Sequence, residues 1–510
     1  MNFSAINTAS DKQTNHGAIQ TYVVLGGGTA GWISAAILIR SLVNTKVNIH
    51  VVESPHTPTV GVGEATIPSI MDMLQYLNIP AQDFINKTNA TFKLAIKFTD
   101  WYAKGAHYWH PFGYIGNEID GKPFYQHWLK YQQQGGALSF TDFSPAIALA
   151  KQNKFFIPDP KQPTNLSSSS YALHFDAALV AKYLQHYCET RGVKIHKAHV
   201  KDVKRDNTGN IGQLIFNDNK TLSGDFFIDC SGQQGLLIGK TLRVGYENWQ
   251  QYLPVDSAAV VQTENSGALP PYTESIAHAH GWRWRIPLQN RTGNGYVYCS
   301  DFCDDNAAMR LLESNVFGEK LTDTRCLKFT TGMRDKCWEK NCLAVGLSSG
   351  FLEPLESTSI YLIMRAMLNF VQSIPTKDPS PFTVSEYNRL MRHEYHCIRD
   401  FIVLHYCATT RKDTPYWQMW QSLSIPDSLQ TKIALFKEYG RLYQDKSDLF
   451  SQDSWYAVLE GMGVRPNAYD PVVDASVAEK IHSALPSAAE ALIDSAGKAL
   501  GHEEYLERIR

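Results

Sequence analysis

The chain has 510 residues, of which 44% are hydrophobic, 12% aromatic and 19% charged. This composition supplies a large apolar core and excludes a disordered chain. The net charge is -2, and the sequence has no basic stripe and no run of five like charges, which argues against a nucleic-acid-binding protein. The longest apolar runs, such as residues 32–38, are too short to cross a bilayer, so we expect no membrane span.

The N-terminal region and the cysteines carry few signals. Residues 1–20 are polar and lack the apolar segment of a signal peptide, so we interpret them as a flexible leader of a cytoplasmic protein. Nine cysteines are scattered through the chain without a Cys-x-x-Cys pair, and neither Cys299 and Cys303 nor Cys337 and Cys342 have a nearby set of histidines. We therefore predict reduced, buried thiols and no metal site.

The first regular elements are predicted to form a βαβ unit. A β-rich run at 22–25 leads into Gly26-x-Gly28-x-x-Gly31, a helical segment at 32–43 and a strand that ends at Glu53. In such a turn the first glycine permits a tight bend, the second lets a pyrophosphate approach the backbone, and the third allows close helix–strand packing. A terminal acid suits a ribose hydroxyl. The unit predicts dinucleotide binding; the alternative is a glycine turn with a structural role only.

The rest of the chain predicts a large α/β fold. Helices are predicted at 177–187 and 358–371, and strands at 225–232, 257–263, 281–287, 295–301 and 342–346. We expect an FAD-binding domain over residues 21–380, with a second, mostly antiparallel sheet and an irregular insertion at 99–170. Residues 381–510 are expected to be mostly helical and to close the substrate site. Because the chain has a single Gly-x-Gly-x-x-Gly fingerprint, FAD without a separate NAD domain is favoured.

Three further segments have both a chemical and a plain structural interpretation. Residues 92–98 alternate with a period of two, which predicts one strand with Lys93 and Lys97 on a shared face. That face is either exposed to solvent or carries a buried, reactive lysine. The segment 351–359 has two carboxylates before a helix, which either cap the helix or help to bind a small anion. Trp282 and Trp284 share one face of a strand and fit a core or an interface stripe.

Together these segments resemble the flavin-dependent tryptophan halogenase family over roughly residues 20–420. The matching motifs are 26–32, 61–68, 92–98, 174–177, 227–232, Trp282-x-Trp284-x-Ile286-Pro287 and 346–358. The lysine segment and the Trp-x-Trp-x-Ile-Pro motif are far more specific than the glycine turn. The resemblance implies a Rossmann-like FAD-binding fold of the flavin monooxygenase type.

The resemblance also implies a reaction. Reduced FAD from a separate flavin reductase, together with oxygen and a halide ion, gives hypohalous acid. This reagent moves through a tunnel to Lys93, which presents the electrophilic halogen to an aromatic, indole-like substrate. Glu356 polarises the reagent or accepts the ring proton, and Ser357 supports it. A monomer or a homodimer is expected.

The remaining site residues are assigned by the same resemblance. Cofactor binding is assigned to Gly26, Gly28, Thr29, Ala30, Gly31, Glu53, Gly63, Glu64, Ala65 and Leu347. Halide binding is assigned to Thr358 and Ser359, and substrate binding to His107, Trp109, Phe112 and Phe450. The flavin-side tunnel is assigned to Trp282, Trp284, Ile286 and Pro287, which keep organic substrate away from the flavin.

The sequence departs from the family pattern in two places. Ser359 stands where the halide motif Phe-x-x-Pro-x-x-Ser-x-Gly has glycine, and we expect bromide to react at least as well as chloride. The stretch 440–458 lacks the tyrosine-rich segment that grips free tryptophan, so indoles, phenol-like rings and larger aromatic molecules are also compatible. An FAD-dependent aromatic hydroxylase is the main alternative function. A flavin-binding protein that has lost its halogenation chemistry is the third.

Overall fold

The computed structural model describes residues 17–55, 64–445, 447–475 and 478–510, with the backbone only at 478–482. The strands are β1 (Thr21–Leu25), β2 (Asn48–Glu53), β3 (Glu64–Ala65), β4 (Thr91–Lys93), β5 (Ala95–Thr99), β6 (His107–Pro111), β7 (Lys154–Phe155), β8 (Ala172–Phe175), β9 (Lys194–Lys197), β10 (Val200–Arg205), β11 (Ile211–Phe216), β12 (Thr221–Ser223), β13 (Phe226–Asp229), β14 (Tyr246–Asn248), β15 (Ser257–Thr263), β16 (Tyr272–Ala277), β17 (Gly281–Pro287), β18 (Thr292–Tyr298), β19 (Arg325–Lys328), β20 (Gly332–Arg334), β21 (Trp338–Glu339), β22 (Cys342–Ala344), β23 (Gly350–Phe351) and β24 (Leu500–Gly501).

The helices are α1 (Thr29–Ser41), α2 (Ser69–Tyr76), α3 (Ala81–Lys87), α4 (Phe124–Gln133), α5 (Pro145–Lys151), α6 (Ala177–Glu189), α7 (Asp305–Glu313), α8 (Ser359–Val371), α9 (Pro381–Cys407), α10 (Pro415–Trp420), α11 (Asp427–Tyr439), α12 (Gln452–Gly461), α13 (Ala478–Gly497) and α14 (His502–Arg508). Among the described residues, no helix combines the length and the hydropathy that a bilayer crossing requires.

A parallel sheet carries the βαβ unit. Within the described residues, six strands pair in the order β21-β22-β13-β1-β2-β9, parallel throughout except for the edge strand β21. The apolar run at 32–38 is buried all round because α1 packs against the sheet, α6 and α8. The predicted strand–turn–helix–strand order at the start of the fold is therefore present.

The second sheet is mostly antiparallel, as predicted. Seven described strands pair in the order β19-β15-β18-β17-β16-β5-β6, and only the β16–β5 pair is parallel. The predicted insertion at 99–170 is not irregular: it contributes β6, α4, α5 and β7. Buried aromatic side chains such as Phe124, Tyr125 and Trp128 give α4 a helical apolar face that the sequence interpretation overlooked.

The prediction of one strand at 92–98 is wrong. The strand breaks at Leu94, whose N–H donates to the Pro271 carbonyl at 2.7 Å. On either side of this break, β4 pairs with β8 and β5 pairs with β6 and β16. Lys93 and Lys97 therefore belong to different sheets, and Lys93 is fully buried while Lys97 is half-buried.

The two ends of the chain make specific contacts. Residues 1–16 lie outside the described residues, but the Gln20 N–H donates to Oδ2 of Asp225 at 2.8 Å. At the other end, His502 accepts the Phe92 N–H on Nε2 at 3.1 Å, and its Nδ1 donates to the Leu269 carbonyl at 2.8 Å. Burial lowers the pKa of His502 to about 4, so the ring stays neutral and keeps both bonds. The C-terminal helix α14 thereby pins β4, the strand that carries Lys93.

Candidate active site

The glycine turn after β1 lets neighbouring backbone segments, and a ligand, approach the chain closely. Gly26 has a φ of +128°, and a Cβ at this position would lie 2.2 Å from the Cys230 carbonyl oxygen. A Cβ on Gly31 would lie 1.8 Å from the Gly26 carbonyl oxygen, so α1 reaches β1 only without a side chain there. A Cβ on Gly28 would meet nothing within 4 Å, because this residue faces an open cleft. The free N–H groups at the start of α1 are thus open to an anionic group.

This cleft has a volume of about 580 Å³. Of the residues assigned to the cofactor and the tunnel, it is lined by Gly26, Gly28, Thr29, Ala30, Glu53, Glu64, Ala65, Leu347, Trp282, Trp284 and Ile286. Gly31 and Pro287 lie behind the lining, and Gly63 lies outside the described residues. The cleft is also lined by Ser357 and Ser359 from the segment 351–359.

The surroundings of Glu53 indicate whether the cleft fits a dinucleotide. Its Oε2 atom is buried and has no hydrogen-bond partner among the described residues. A buried acceptor without a partner costs about 1–3 kcal/mol, which a ribose hydroxyl would relieve. The carboxylate ends β2 beside Gly27, where a Cβ would lie 2.4 Å from its Cγ. The residues present therefore fit FAD.

Lys93, from the segment 92–98, is fully buried. Its Nζ donates to the Thr66 carbonyl at 3.0 Å and to Oγ of Ser357 at 2.9 Å, and lies 5.1 Å from the centre of the Phe112 ring. Burial lowers the pKa of Lys93 to about 7, although the charge of Glu356 acts in the opposite direction. The amine is therefore available in both its neutral and its protonated form near neutral pH.

Glu356 is a buried carboxylate held between two histidines. Its Oε2 accepts from Nδ1 of His110 at 2.8 Å, and Nε2 of His405 lies 2.9 Å from Oε1. Burial alone would raise the pKa of Glu356, but the two imidazoles outweigh it and lower the pKa to about 2. Nε2 of His405 and Oε1 are close but not aligned as a hydrogen bond, so their contact is electrostatic. On the other side of the ring, Nδ1 shares a 2.6 Å hydrogen bond with the Tyr108 hydroxyl.

Glu353, three residues earlier, is also fully buried but has the opposite electrostatic environment. Its Oε2 accepts from Nε1 of Trp282 and from the hydroxyl of Tyr406, each at 2.7 Å. Its Oε1 has no hydrogen-bond partner among the described residues. Burial raises the pKa of Glu353 to about 7, although these two donors act against the rise. This carboxyl ties the Trp-x-Trp strand β17 to α9.

The backbone between these carboxylates and α8 is shaped by Ser357. Ser357 has a φ of +60°, a left-handed conformation that is uncommon outside glycine. In this conformation the Ser357 hydroxyl lies next to Lys93, and α8 begins two residues later at Ser359. Thr358, between them, is buried. The first N–H groups of this helix lack intrahelical partners, as an anion site requires. Of the two residues assigned to halide, Ser359 lines the cleft and Thr358 lies behind it.

Aromatic side chains surround the Lys93 side of the site. His110 lies 6.1 Å from Phe112, 5.4 Å from Phe401 and 5.9 Å from Phe450, measured between ring centres. Phe401 and Phe450 stack at 3.8 Å. We call His110, Phe112, Phe401 and Phe450 the aromatic wall. His110 bonds Glu356 and Phe112 contacts Lys93, so the wall borders both of these side chains.

His107 and Trp109, the other residues assigned to substrate, lie elsewhere on β6. Side chains alternate along a strand, so they share the face opposite to His110. His107 is exposed, and Trp109 packs against Tyr272 at 4.9 Å and Lys97 at 5.6 Å. The structure thus brings Phe112 and Phe450 to the site but places these two on the other side of the strand.

Several residues of the site were missed by the sequence interpretation. The alternation of β6 could have identified His110, because it shares a face with Phe112. No local signal marks His405, which lies 49 positions after Glu356 in the sequence and reaches it only through the packing of α9. The pairing of Glu353 with Trp282 is equally non-local.

Comparison with known proteins gives a consistent picture. Residues 21–478 match the family model described as tryptophan halogenase. The chain is 34% identical to tryptophan 6-halogenase SttH of Streptomyces toxytricini, over 93% of this chain and 95% of that protein. Among solved structures, Xcc4156, a flavin-dependent halogenase from Xanthomonas campestris, is 40% identical with a TM-score of 0.92, covering 96% of this chain and 98% of the other.

BrvH, a flavin-dependent halogenase from Brevundimonas sp. BAL3, is 37% identical and also has a TM-score of 0.92, covering 96% of this chain and 99% of its own. These similarities extend across both large sheets and the helical C-terminal region. They confirm the predicted fold and the predicted family, and they give no support to the hydroxylase alternative.

The contrast between Glu353 and Glu356 makes a pH prediction. A folded-state pKa of about 7 for Glu353, above its usual 4.5, means that its protonated form stabilises the fold at low pH and that this contribution is lost as pH rises through 7. We expect Glu353→Gln, which is neutral throughout, to gain stability over the wild type by up to about 3 kcal/mol as pH rises from 5 to 8.5.

Glu356→Gln is the matched control. Its folded-state pKa of about 2 means that its carboxylate stabilises the fold fully above 4.5 and loses this effect only as pH falls toward 2. This variant should therefore be less stable than the wild type across the whole range of pH 5–8.5. Urea unfolding at each pH measures both effects. Parallel pH profiles for the wild type and Glu353→Gln would contradict the assignment.

Proposed function

The chain belongs to the tryptophan halogenase family and is an FAD-dependent halogenase, and we propose that Lys93 and Glu356 direct electrophilic halogenation of an indole-like substrate. The observation that carries this proposal is the pair itself. A buried amine with a pKa of about 7 and a buried carboxylate kept ionised lie beside one aromatic wall. A surface lysine or a capping glutamate would have neither property.

The cleft beside the glycine turn is proposed to hold FAD. Its pyrophosphate would meet the N–H groups after Gly28, and Glu53 would accept a ribose hydroxyl. When bound in reduced form, FAD supplies the oxygen chemistry that turns a halide ion into hypohalous acid. We propose that a separate flavin reductase delivers the reduced cofactor, since the chain carries a single dinucleotide fingerprint.

Lys93 is proposed to receive the halogen. In its neutral form, Nζ attacks the halogen of hypohalous acid: an N–halogen bond forms, the O–halogen bond breaks, and water leaves with one amine proton. In its protonated form, the ammonium instead donates a hydrogen bond that polarises the same reagent. Ser357 and the Thr66 carbonyl fix the amine in either case. The halogen then passes to a ring carbon, and the amine recovers a proton.

Glu356 is proposed to stabilise and then deprotonate the cationic ring. A ring cation of this kind is a far stronger acid than a carboxylic acid, so a carboxylate whose pKa is about 2 still accepts its proton. Because its charge is fixed before the reaction, Glu356 acts electrostatically without reorganisation. His110 and His405 are positioning residues that hold both oxygens.

The paired tryptophans are proposed to separate the two halves of the reaction. Trp282 and Trp284 line the cofactor cleft, and Glu353 fixes Trp282 through its indole N–H. Their bulk leaves passage for a small inorganic reagent but keeps an organic ring from the cofactor. Ser357 belongs to this cleft and also bonds Lys93, so the halogen crosses at this residue.

Lys93→Met tests the central role. With FAD, a flavin reductase, NADH, oxygen, equal chloride and bromide, and a panel of indoles, phenols and free tryptophan, mass spectrometry reads halogenated products. We expect product formation to fall by about 10³-fold in Lys93→Met, since a positioned group that exchanges protons with the reacting atoms typically contributes about 10²–10⁴-fold. Lys97→Met is the matched control because this neighbouring lysine faces Trp109 in the other sheet, and it should retain activity.

Equal losses in the two lysine variants would contradict the assignment, as would full activity in Lys93→Met. Oxygenated products without halogen in the wild type would revive the hydroxylase alternative. Peroxide without any product would favour a protein that has lost its halogenation chemistry.

The halide preference follows from Ser359. This residue keeps its N–H at the start of α8 but adds a side chain that lines the cleft. We expect brominated product to equal or exceed chlorinated product at equal halide concentrations, because bromide is easier to oxidise. Ser359→Gly should raise the chlorinated share. Isotope patterns in the same assay measure both, and a chloride-dominated mixture from the wild type would overturn the expectation.

The aromatic wall is proposed as the substrate surface. Phe112→Ala and Phe450→Ala should each raise KM about tenfold, because the lost apolar area adds to the about 0.5–1.5 kcal/mol that an aromatic contact contributes beyond that area. The assignment of His107 and Trp109 stays a prediction that the same kinetics test. Their alanine variants should leave KM within about twofold if the wall alone holds the ring; equal rises in all four would place the substrate across both faces of β6.

A further inference from the structure

Three potential metal ligands converge outside the halogenation site. His393 and Cys397 lie one turn apart on α9, and Asp448 reaches them from the segment between α11 and α12. Nε2 of His393 lies 2.8 Å from Oδ1 of Asp448 and 3.5 Å from Sγ of Cys397. The third separation, between Sγ and Oδ1, is 3.7 Å. We call these three residues the His-Cys-Asp cluster.

The geometry favours three ligands around one metal ion over a Cys–His–Asp proton relay. A Cys–His–Asp relay uses the two opposite nitrogens of the ring, but here the thiol and the carboxylate both approach Nε2 most closely. Tetrahedral zinc, with bonds of about 2.0–2.3 Å, sets its ligand atoms about 3.3–3.6 Å apart. The two sulfur separations lie at or just above this range. The remaining nitrogen–oxygen pair would open by about half an ångström when the ion replaces the hydrogen-bonded proton.

The surroundings leave room for a fourth ligand. A cavity of about 540 Å³ adjoins the cluster and is lined also by Asp400 and Asp445. Two cations on its wall are engaged elsewhere, because Arg389 pairs with Glu386 and Arg392 pairs with Glu247. Lys432 stays on the wall, where it lies 4.6 Å from the centre of the Trp455 ring. Burial and the carboxylates of Asp448 and Asp400 raise the pKa of Cys397 to about 12. A bound cation would reverse this effect and release the thiol proton.

We propose that the His-Cys-Asp cluster binds one divalent transition-metal ion of the zinc class. Imidazole nitrogen, thiolate sulfur and carboxylate oxygen are the ligands such an ion takes, and the cavity leaves its fourth position to water. The ion fastens the segment around Asp448 to α9. Two residues further on, Phe450 stacks on Phe401 of the same helix, so the metal fixes one part of the aromatic wall.

Cobalt is the probe because its spectrum reports both geometry and ligand. Full-length protein is treated with EDTA, desalted and titrated with Co²⁺. We expect one equivalent per chain, with the visible bands of tetrahedral Co²⁺ and a near-ultraviolet thiolate-to-cobalt band; Zn²⁺ should displace the cobalt and abolish both kinds of band. Cys397→Ser should abolish the thiolate band and weaken binding at least about tenfold. Cys407→Ser is the matched control, a half-buried cysteine on the same helix that bonds the Leu404 carbonyl.

A second readout does not depend on the spectrum. Zn²⁺ should raise the Tm of the wild type and of Cys407→Ser, but not of Cys397→Ser or Asp448→Asn. The proposal is overturned if Co²⁺ uptake does not saturate, or if Cys397→Ser gives the wild-type spectrum. If Cys397→Ser does not fold, Asp448→Asn decides, and unchanged cobalt affinity in that variant also overturns the proposal. None of these outcomes depends on halogenation, so the proposed function stands or fails separately.

Discussion

The Lys93 amine and the Glu356 carboxylate are buried near each other in this protein, and the rest of the site depends on keeping them there. An isolated buried charge costs several kcal/mol, so Lys93 and Glu356 need polar groups close by. The partners come from distant parts of the chain: Ser357 and Thr66 for the amine, and His110 and His405 for the carboxylate. The second sheet supplies His110 and α9 supplies His405, while Ser357 comes from the turn before α8 and Thr66 from the residue after β3.

The turn at 353–357 gives two glutamates opposite ionisation within one stretch of chain. Glu356 faces two imidazoles, and its pKa falls to about 2; Glu353 faces only neutral donors, and burial raises its pKa to about 7. The difference lies in the partners and not in the degree of burial, because both side chains are fully buried. One carboxylate is therefore a permanent charge suited to a cationic ring, while the other is a neutral or readily neutralised link between Trp282 and α9.

Sequence reasoning recovered what depends on local pattern. The glycine turn, the strand ending at Glu53 and the start of α8 follow from spacing and residue type, so these were predicted. The break of the 92–98 strand was not, because it depends on a bond from Leu94 to Pro271, far along the chain. The same reason explains the missed histidines and the placement of Trp109. The face of β6 that points to the Lys93 side depends on the strands that pair with β5 and on the packing of α9. These elements lie far apart in the sequence, so no short segment of the chain contains this information.

On the proposed mechanism, the break at Leu94 also separates the reactive amine from a neighbouring lysine. If residues 92–98 formed one strand, Lys93 and Lys97 would share a face, and a second amine could compete for the halogen. The break instead sends Lys97 to Trp109 in the other sheet and buries Lys93 against Ser357, at the edge of the cofactor cleft. A reagent that leaves the cleft past Ser357 therefore meets this amine before Lys97. On the proposed mechanism, selectivity then depends on which ring carbon the aromatic wall holds next to Nζ, so it is set by position and not by intrinsic reactivity.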